Sequence, residues 1–193
     1  MANDNEQREI IISAAARLFS RFGLEKTTME DIARAAGKGK STLYYYFRSK
    51  EEVFVEVIRK EIDGLKDTIG KAVEKEDDPY DKFRKFVLAR LGYLSEKADQ
   101  YTTIAEEYLK HYEFISSLTS DYSSWEINTI RGIVEYGRGK GSFMVADSGT
   151  VSRAIFFALK GLEYPWAIDP ARKEMEKSVD VLVEILLKGI SKQ

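Results

Sequence analysis

The 193-residue chain has no cysteine, one histidine and three prolines. Without cysteine there are no disulfides, no thiolate zinc sites and no thiol nucleophile. A single histidine, His111, excludes any two-histidine metal motif. A Ser-His-Asp hydrolase would have to rest on His111, and no G-x-S-x-G elbow accompanies it. An enzyme built on carboxylates or lysine stays open, but no motif points to one, and no metal or cofactor is implied. No apolar run approaches the ~18 residues that span a bilayer. The first ten residues, "MANDNEQREI", lack an apolar signal core after a basic start, so the expected compartment is the cytosol. Strand-like stretches and internal repeats are also missing; apolar residues recur at helical spacing nearly throughout.

What is present is an ordinary globular composition, 44% hydrophobic and 32% charged, enough to bury a core. The net charge of −2 is unevenly spread. Residues 1–50 hold nine basic and six acidic side chains, whereas the remainder holds 21 and 26. Within 37–50, "GKGKSTLYYYFRSK", the cations Lys38, Lys40, Arg48 and Lys50 are accompanied by no acid. A small positive head on an acidic body would steer toward a polyanion.

The pattern predicts an all-α chain of about nine helices: a three-helix head over 1–49 and a larger helical-bundle body over 50–193. The first helix (6–22) ends at Gly23 as a left-handed cap would. The second is capped by Thr27 or Thr28, since Thr27–Glu30 and Thr28–Asp31 both have capping-box spacing, and it ends at Gly37. A short third helix covers 40–47 behind Gly39. Ser49-Lys50-Glu51-Glu52 is a capping box that starts a long fourth helix. The expected fifth to ninth helices span about 80–97, 100–114, 116–137, 150–164 (stopped by Pro165) and 170–190. "GRGKGSFMVADSG" reads as a loop.

Gly39-Lys40-Ser41 also looks like the tail of a phosphate-binding loop. The full motif would need glycine at position 34, which is Arg34, and a strand before it. Two short helices around a glycine turn instead make a helix-turn-helix. Leu43 and Phe47, four apart, fix the buried side of the third helix; at ~100° per residue Ser41 and Tyr45 point most directly away. Thr42, Tyr44 and Tyr46 flank them. Tyr44 or Tyr46 packing on the first or fourth helix is the alternative to a partner contact. Hydroxyls and lysines at helix termini suit phosphate oxygens, while side chains centred on the helix reach base edges.

The stretch "TTMEDIARAAGKGKSTLYYYFRSKEEVF" (27–54) resembles the DNA-binding head of the TetR family of bacterial transcriptional regulators. The matches fall at Thr28, Ile32, Ala33, Ala36-Gly37, Thr42-Leu43-Tyr44, Tyr46-Phe47 and Lys50-Glu51. The resemblance implies that Thr28 and Lys50 meet phosphates, that Lys40, Ser41 and Tyr45 read or line the major groove, and that Tyr44 and Tyr46 contact backbone. Two departures stand out: Lys38 where the family has an apolar residue, and Gly39 where it has a capping Ser. Lys38 swung outward would add a phosphate contact. The resemblance further implies a homodimer that represses from a double-stranded DNA operator until a small-molecule effector binds the body. The alternative is a constitutive or architectural DNA-binding dimer whose body docks a protein.

For the body, the sixth and seventh helices line up Tyr101, Tyr108, Tyr112, Trp125 and Asn128. Such residues fit a cavity with polar handles; the alternative is an aromatic core whose hydroxyls reach water. The apolar stripe of the ninth helix, from Met175 to Ile190, is too wide for one neighbour. The eighth and ninth helices (about 150–190) would therefore form the dimer seam.

Overall fold

Helix boundaries in this chain are set by glycines and capping side chains. The structure, a computed structural model, describes residues 2–96, 112–168 and 172–190, and every regular element among them is an α-helix. Helix α1 (Ala2–Lys26) bends at Gly23, whose φ of 79° and ψ of 170° lie in a region essentially reserved for glycine. The expected stop is thus a kink followed by one turn, and Thr27 closes it by donating its hydroxyl to Gly23 O at 2.7 Å. Helix α2 (Met29–Ala35) starts on Thr28. Thr28 Oγ1 accepts from Asp31 N–H and the Asp31 carboxylate accepts from Thr28 N–H, each at 3.2 Å. Gly37, at φ 65°, makes the turn. Helix α3 (Lys40–Tyr46) follows Gly39, which offers no side-chain cap. Helix α4 (Lys50–Glu74) starts behind Ser49, whose Oγ accepts from Glu52 N–H at 3.2 Å; Glu52 reaches back to Arg48 N–H at 2.7 Å.

Further along come α5 (Pro79–Glu96), α6 (Tyr112–Gly139), α7 (Ser148–Ile168) and α8 (Arg172–Lys188). Two expected boundaries move. Helix α6 already runs at Tyr112, with no break near 115, because no Gly or Pro stands between Gln100 and Gly132 to interrupt it. Helix α7 passes through Pro165 to Ile168, since a proline forfeits one i→i−4 bond and only the last turn lies beyond it.

The described residues fall into two compact units, one holding 2–63 and 112–118, the other 64–96, 119–168 and 172–190. The first packs Ile11, Ala15 and Phe19 of α1, Ile32 of α2, Leu43 and Phe47, and Val53, Phe54 and Val57 of α4 into one core. Phe19 and Phe54 meet edge to face at 5.3 Å.

The second unit packs α5 against α7 and α8. Its core of Phe83, Phe86, Leu91, Ile130 and Leu159 encloses a fully buried ion pair, Arg90 Nε to Glu126 Oε1. On α8, Val179, Val183 and Leu187 are buried while Val181 (54%) and Ile185 (62%) are exposed. On α7, Phe156 is buried and Phe157 is 67% exposed. The wide stripe is therefore divided between a covered face and an open one.

Leu43→Ala removes a fully buried side chain and should cost about 2–5 kcal/mol in urea unfolding. Ser41→Ala, on the exposed side of the same helix, should stay within about 0.5 kcal/mol. Equal effects would contradict the assigned faces of α3.

Candidate nucleic-acid interface

Seven residues make α3, and burial of Leu43 and Phe47 decides which way the rest point. Ser41, Tyr44 and Tyr45 are exposed, Tyr45 at 76% against 44% for Tyr44. Thr42 is half-buried. The Arg8 guanidinium stands 5.2 Å from the Phe47 ring and bonds Glu56 at 2.8 Å, tying α1 to α4 around the end of α3.

Tyr46 divides its roles. Its ring packs on the head core, edge-on to Tyr45 at 5.0 Å, and its hydroxyl donates to Asp4 Oδ1 at 2.6 Å. That bond, with some burial and the charge of Asp4, pushes the phenol up to about 12. The two readings of Tyr46, core packing and polar contact, thus coexist in one side chain.

Two of the four cations, Lys40 and Lys50, are engaged with their own chain. Lys40 Nζ pairs with Glu30 in the first turn of α2 and lies 5.9 Å from the Tyr44 ring. The shared hydrogen bond holds the Glu30 carboxyl below its ordinary value and the Lys40 ammonium above its own. Lys50 Nζ donates to Leu24 O at 2.8 Å and Glu25 O at 3.0 Å, anchoring the end of α1 to the start of α4. Lys38 is half-buried at the turn, its N–H given to Ala33 O at 2.9 Å. Thr28 is exposed, but it also donates its hydroxyl to Asp31 Oδ2 at 2.6 Å, which holds the Asp31 carboxyl below its ordinary value. Glu30 and Asp4 were not legible as members of this surface. They lie outside 37–50, and no periodicity links them to it.

Of the expected body pocket, Tyr101, Tyr108 and the side chain of Tyr112 lie outside the described residues. Trp125 is half-buried, stacked on Tyr122 at 5.9 Å with Lys66 Nζ 5.7 Å from its ring. Asn128 is exposed and accepts from Arg131 at 2.9 Å. Among the described residues no cluster of three His, Cys, Asp or Glu suits a metal ion, and no helix is long and apolar enough to cross a membrane.

Comparison with known proteins converges on the same surface. The family profile described as "Bacterial regulatory proteins, tetR family" matches residues 11–57, which contain α2, α3 and the start of α4. The transcriptional regulator YhgD of Bacillus subtilis is 35% identical over 69 residues, 36% of this chain and 36% of that one. The transcriptional repressor KstR2 of Mycolicibacterium smegmatis is 25% identical over 142 residues, 71% of this chain and 67% of its own length. The chain thus spans about a third of the first relative and two thirds of the second. In fold, the fatty acid degradation regulator FadR of Bacillus halodurans superposes with a TM-score of 0.76 over 94% of both chains at 21% identity.

Tyr46 offers a direct check. Its folded pKa lies above the ordinary 10, so its stabilising contribution is whole below pH 10 and is lost as pH rises through about 12. In an alkaline titration followed by tyrosinate absorbance, Asp4→Asn should move one phenol down toward 10. An unchanged curve would show that the Asp4 contact is not made in solution.

Proposed function

We propose that this chain, whose residues 11–57 match the TetR-family profile, is a helix-turn-helix transcriptional regulator rather than an enzyme, and that it acts as a dimeric repressor. It holds a palindromic DNA operator and leaves it when a small, partly apolar molecule occupies the body. The observation that carries the DNA reading is Tyr45, the most exposed large hydrophobic side chain among the described residues, on a helix whose opposite side is fixed by Leu43 and Phe47.

In this reading Ser41 and Tyr45 reach base edges from the centre of α3, and Lys40, at its start, lines the groove within reach of a phosphate at its edge. Thr28, Lys38, Thr42, Tyr44 and Tyr46 meet the sugar-phosphate backbone and set register. Lys50 has three donors, two of them on carbonyls; the third is what a phosphate would take.

Val181, Ile185 and Phe157 support dimerisation through α7 and α8: they are open apolar side chains on the helices whose other faces fill the core. A twofold pair of α3 helices then sits about 34–36 Å apart, or a multiple of that, on one face of DNA. Trp125 is the proposed wall of the effector site. Helix α4 is the proposed lever, unbroken from Lys50 to Glu74, about 37 Å at ~1.5 Å per residue. Effector and operator then weaken each other by equal factors.

Two measurements test this. Tyr45→Ala should lose about 1–3 kcal/mol of preference at one base position of the best-bound duplex; the same loss on random duplex would remove the base-reading role. Val181→Glu with Ile185→Glu should sediment as a folded monomer with sharply weakened operator binding. A wild-type chain that is already monomeric at micromolar concentration would contradict the α7–α8 seam.

A further inference from the structure

Two of the polar groups on the α3 surface are occupied by carboxylates of the same chain. Lys40 is paired with Glu30, ten residues upstream, and the Tyr46 hydroxyl donates to Asp4, 42 residues upstream. Neither acid belongs to 37–50, which contains four cations and none of its own; the packing of α1 and α2 beside α3 brings them there. Both pairs lie at the solvent-exposed surface, where DNA and salt can reach them.

We propose that Glu30 and Asp4 act as internal stand-ins for DNA phosphate, making Glu30 a specificity-determining residue of this regulator. The inference rests on the reading of α3 as the DNA face. A lysine that neutralises a phosphate raises affinity for every sequence through counterion release, adding about 0.9 to the salt slope. Lys40 on Glu30 adds little of this, because the pair is neutral and parting it leaves a carboxylate beside the phosphates. On a random duplex, loosely seated, Lys40 stays on Glu30. On the operator, base contacts by Ser41 and Tyr45 offset the parting and Lys40 passes to a phosphate. Exposed pairs are weakly held, so the pair raises the threshold for binding without blocking it. Asp4 acts likewise, by holding the Tyr46 proton and adding negative charge to the same surface. The ordinary role of Glu30, an acid favoured by the dipole at the start of α2, does not involve Lys40, and that difference makes the two separable.

The test is anisotropy titration of the full chain with random duplex and with its best-bound duplex over a range of salt. Glu30→Gln should tighten random-duplex binding by about 1.4- to five-fold, the range for freeing an exposed pair, and steepen its salt slope by about one. The best-bound duplex should gain less, so the ratio of specific to random affinity falls. Adding Lys40→Met to Glu30→Gln should abolish the gain. Asp4→Asn should tighten random binding without needing Lys40. Urea unfolding shows that each variant is folded. The proposal is overturned if Glu30→Gln leaves random-duplex affinity and slope at the wild-type values. It is overturned equally if the gain survives Lys40→Met, or if operator binding weakens, which would make Glu30 a support for Lys40. A wild-type chain that binds no duplex at all would instead refute the DNA face itself.

Discussion

The burial of Leu43 and Phe47 is the contact on which the rest of the head depends. Helix α3 is only seven residues long, too short to persist alone. It exists because these two side chains, four residues apart, enter a core built by α1, α2 and α4. Their burial sets the rotation of the helix and leaves Ser41 and Tyr45 outward. Gly37 supplies the turn that delivers α3 to this site, and the Arg8 bond to Glu56 closes the core at its end. A helix-turn-helix is in this sense a way of making a short helix rigid by holding only one side of it.

Carboxylates of the same chain stand beside the polar groups of that surface, including the one cation of α3, Lys40. The uncompensated positive charge of 37–50 is true of the segment but not of the folded surface, where Glu30, Asp31 and Asp4 stand beside Lys40, Thr28 and Tyr46. Lys50 is held by the carbonyls that end α1. In the proposed reading, DNA must therefore compete with groups already in place. In the same reading, the acidic body, with five more acids than bases beyond residue 50, opposes indiscriminate binding to a polyanion.

How much of this could be read from the sequence follows from the range of each contact. The turn at Gly37, the cap at Ser49 and the buried pair Leu43 and Phe47 are local and readable from spacing alone, whereas spacing made Gly23 a stop rather than a kink and left the cap of α2 open between Thr27 and Thr28. The pairs Lys40–Glu30, Tyr46–Asp4 and Lys50–Leu24 join residues 10, 42 and 26 apart, and no helical period encodes them. Pro165 misled because the stopping rule weighs a lost hydrogen bond without counting how little helix follows it. The buried Arg90–Glu126 pair did leave a signal. Arg90 continues the apolar spacing of Phe83, Phe86 and Val87, and Glu126 stands midway between Tyr122 and Ile130, so each charge occupies a core position of its helix. The two sides of α8 were legible as excess apolar width, which now resolves into Val179, Val183 and Leu187 inside and Val181 and Ile185 outside.

If residues 37–50 read duplex DNA as one half of a symmetric pair, the sites the chain selects must carry that symmetry. Selection of binding sites from a random duplex pool with the pure wild-type chain tests it most directly. The expected product is an inverted repeat whose half-sites are centred about one helical turn, or a whole number of turns, apart. Recovery of no preferred sequence, or of a single half-site without its inverted mate, would contradict it.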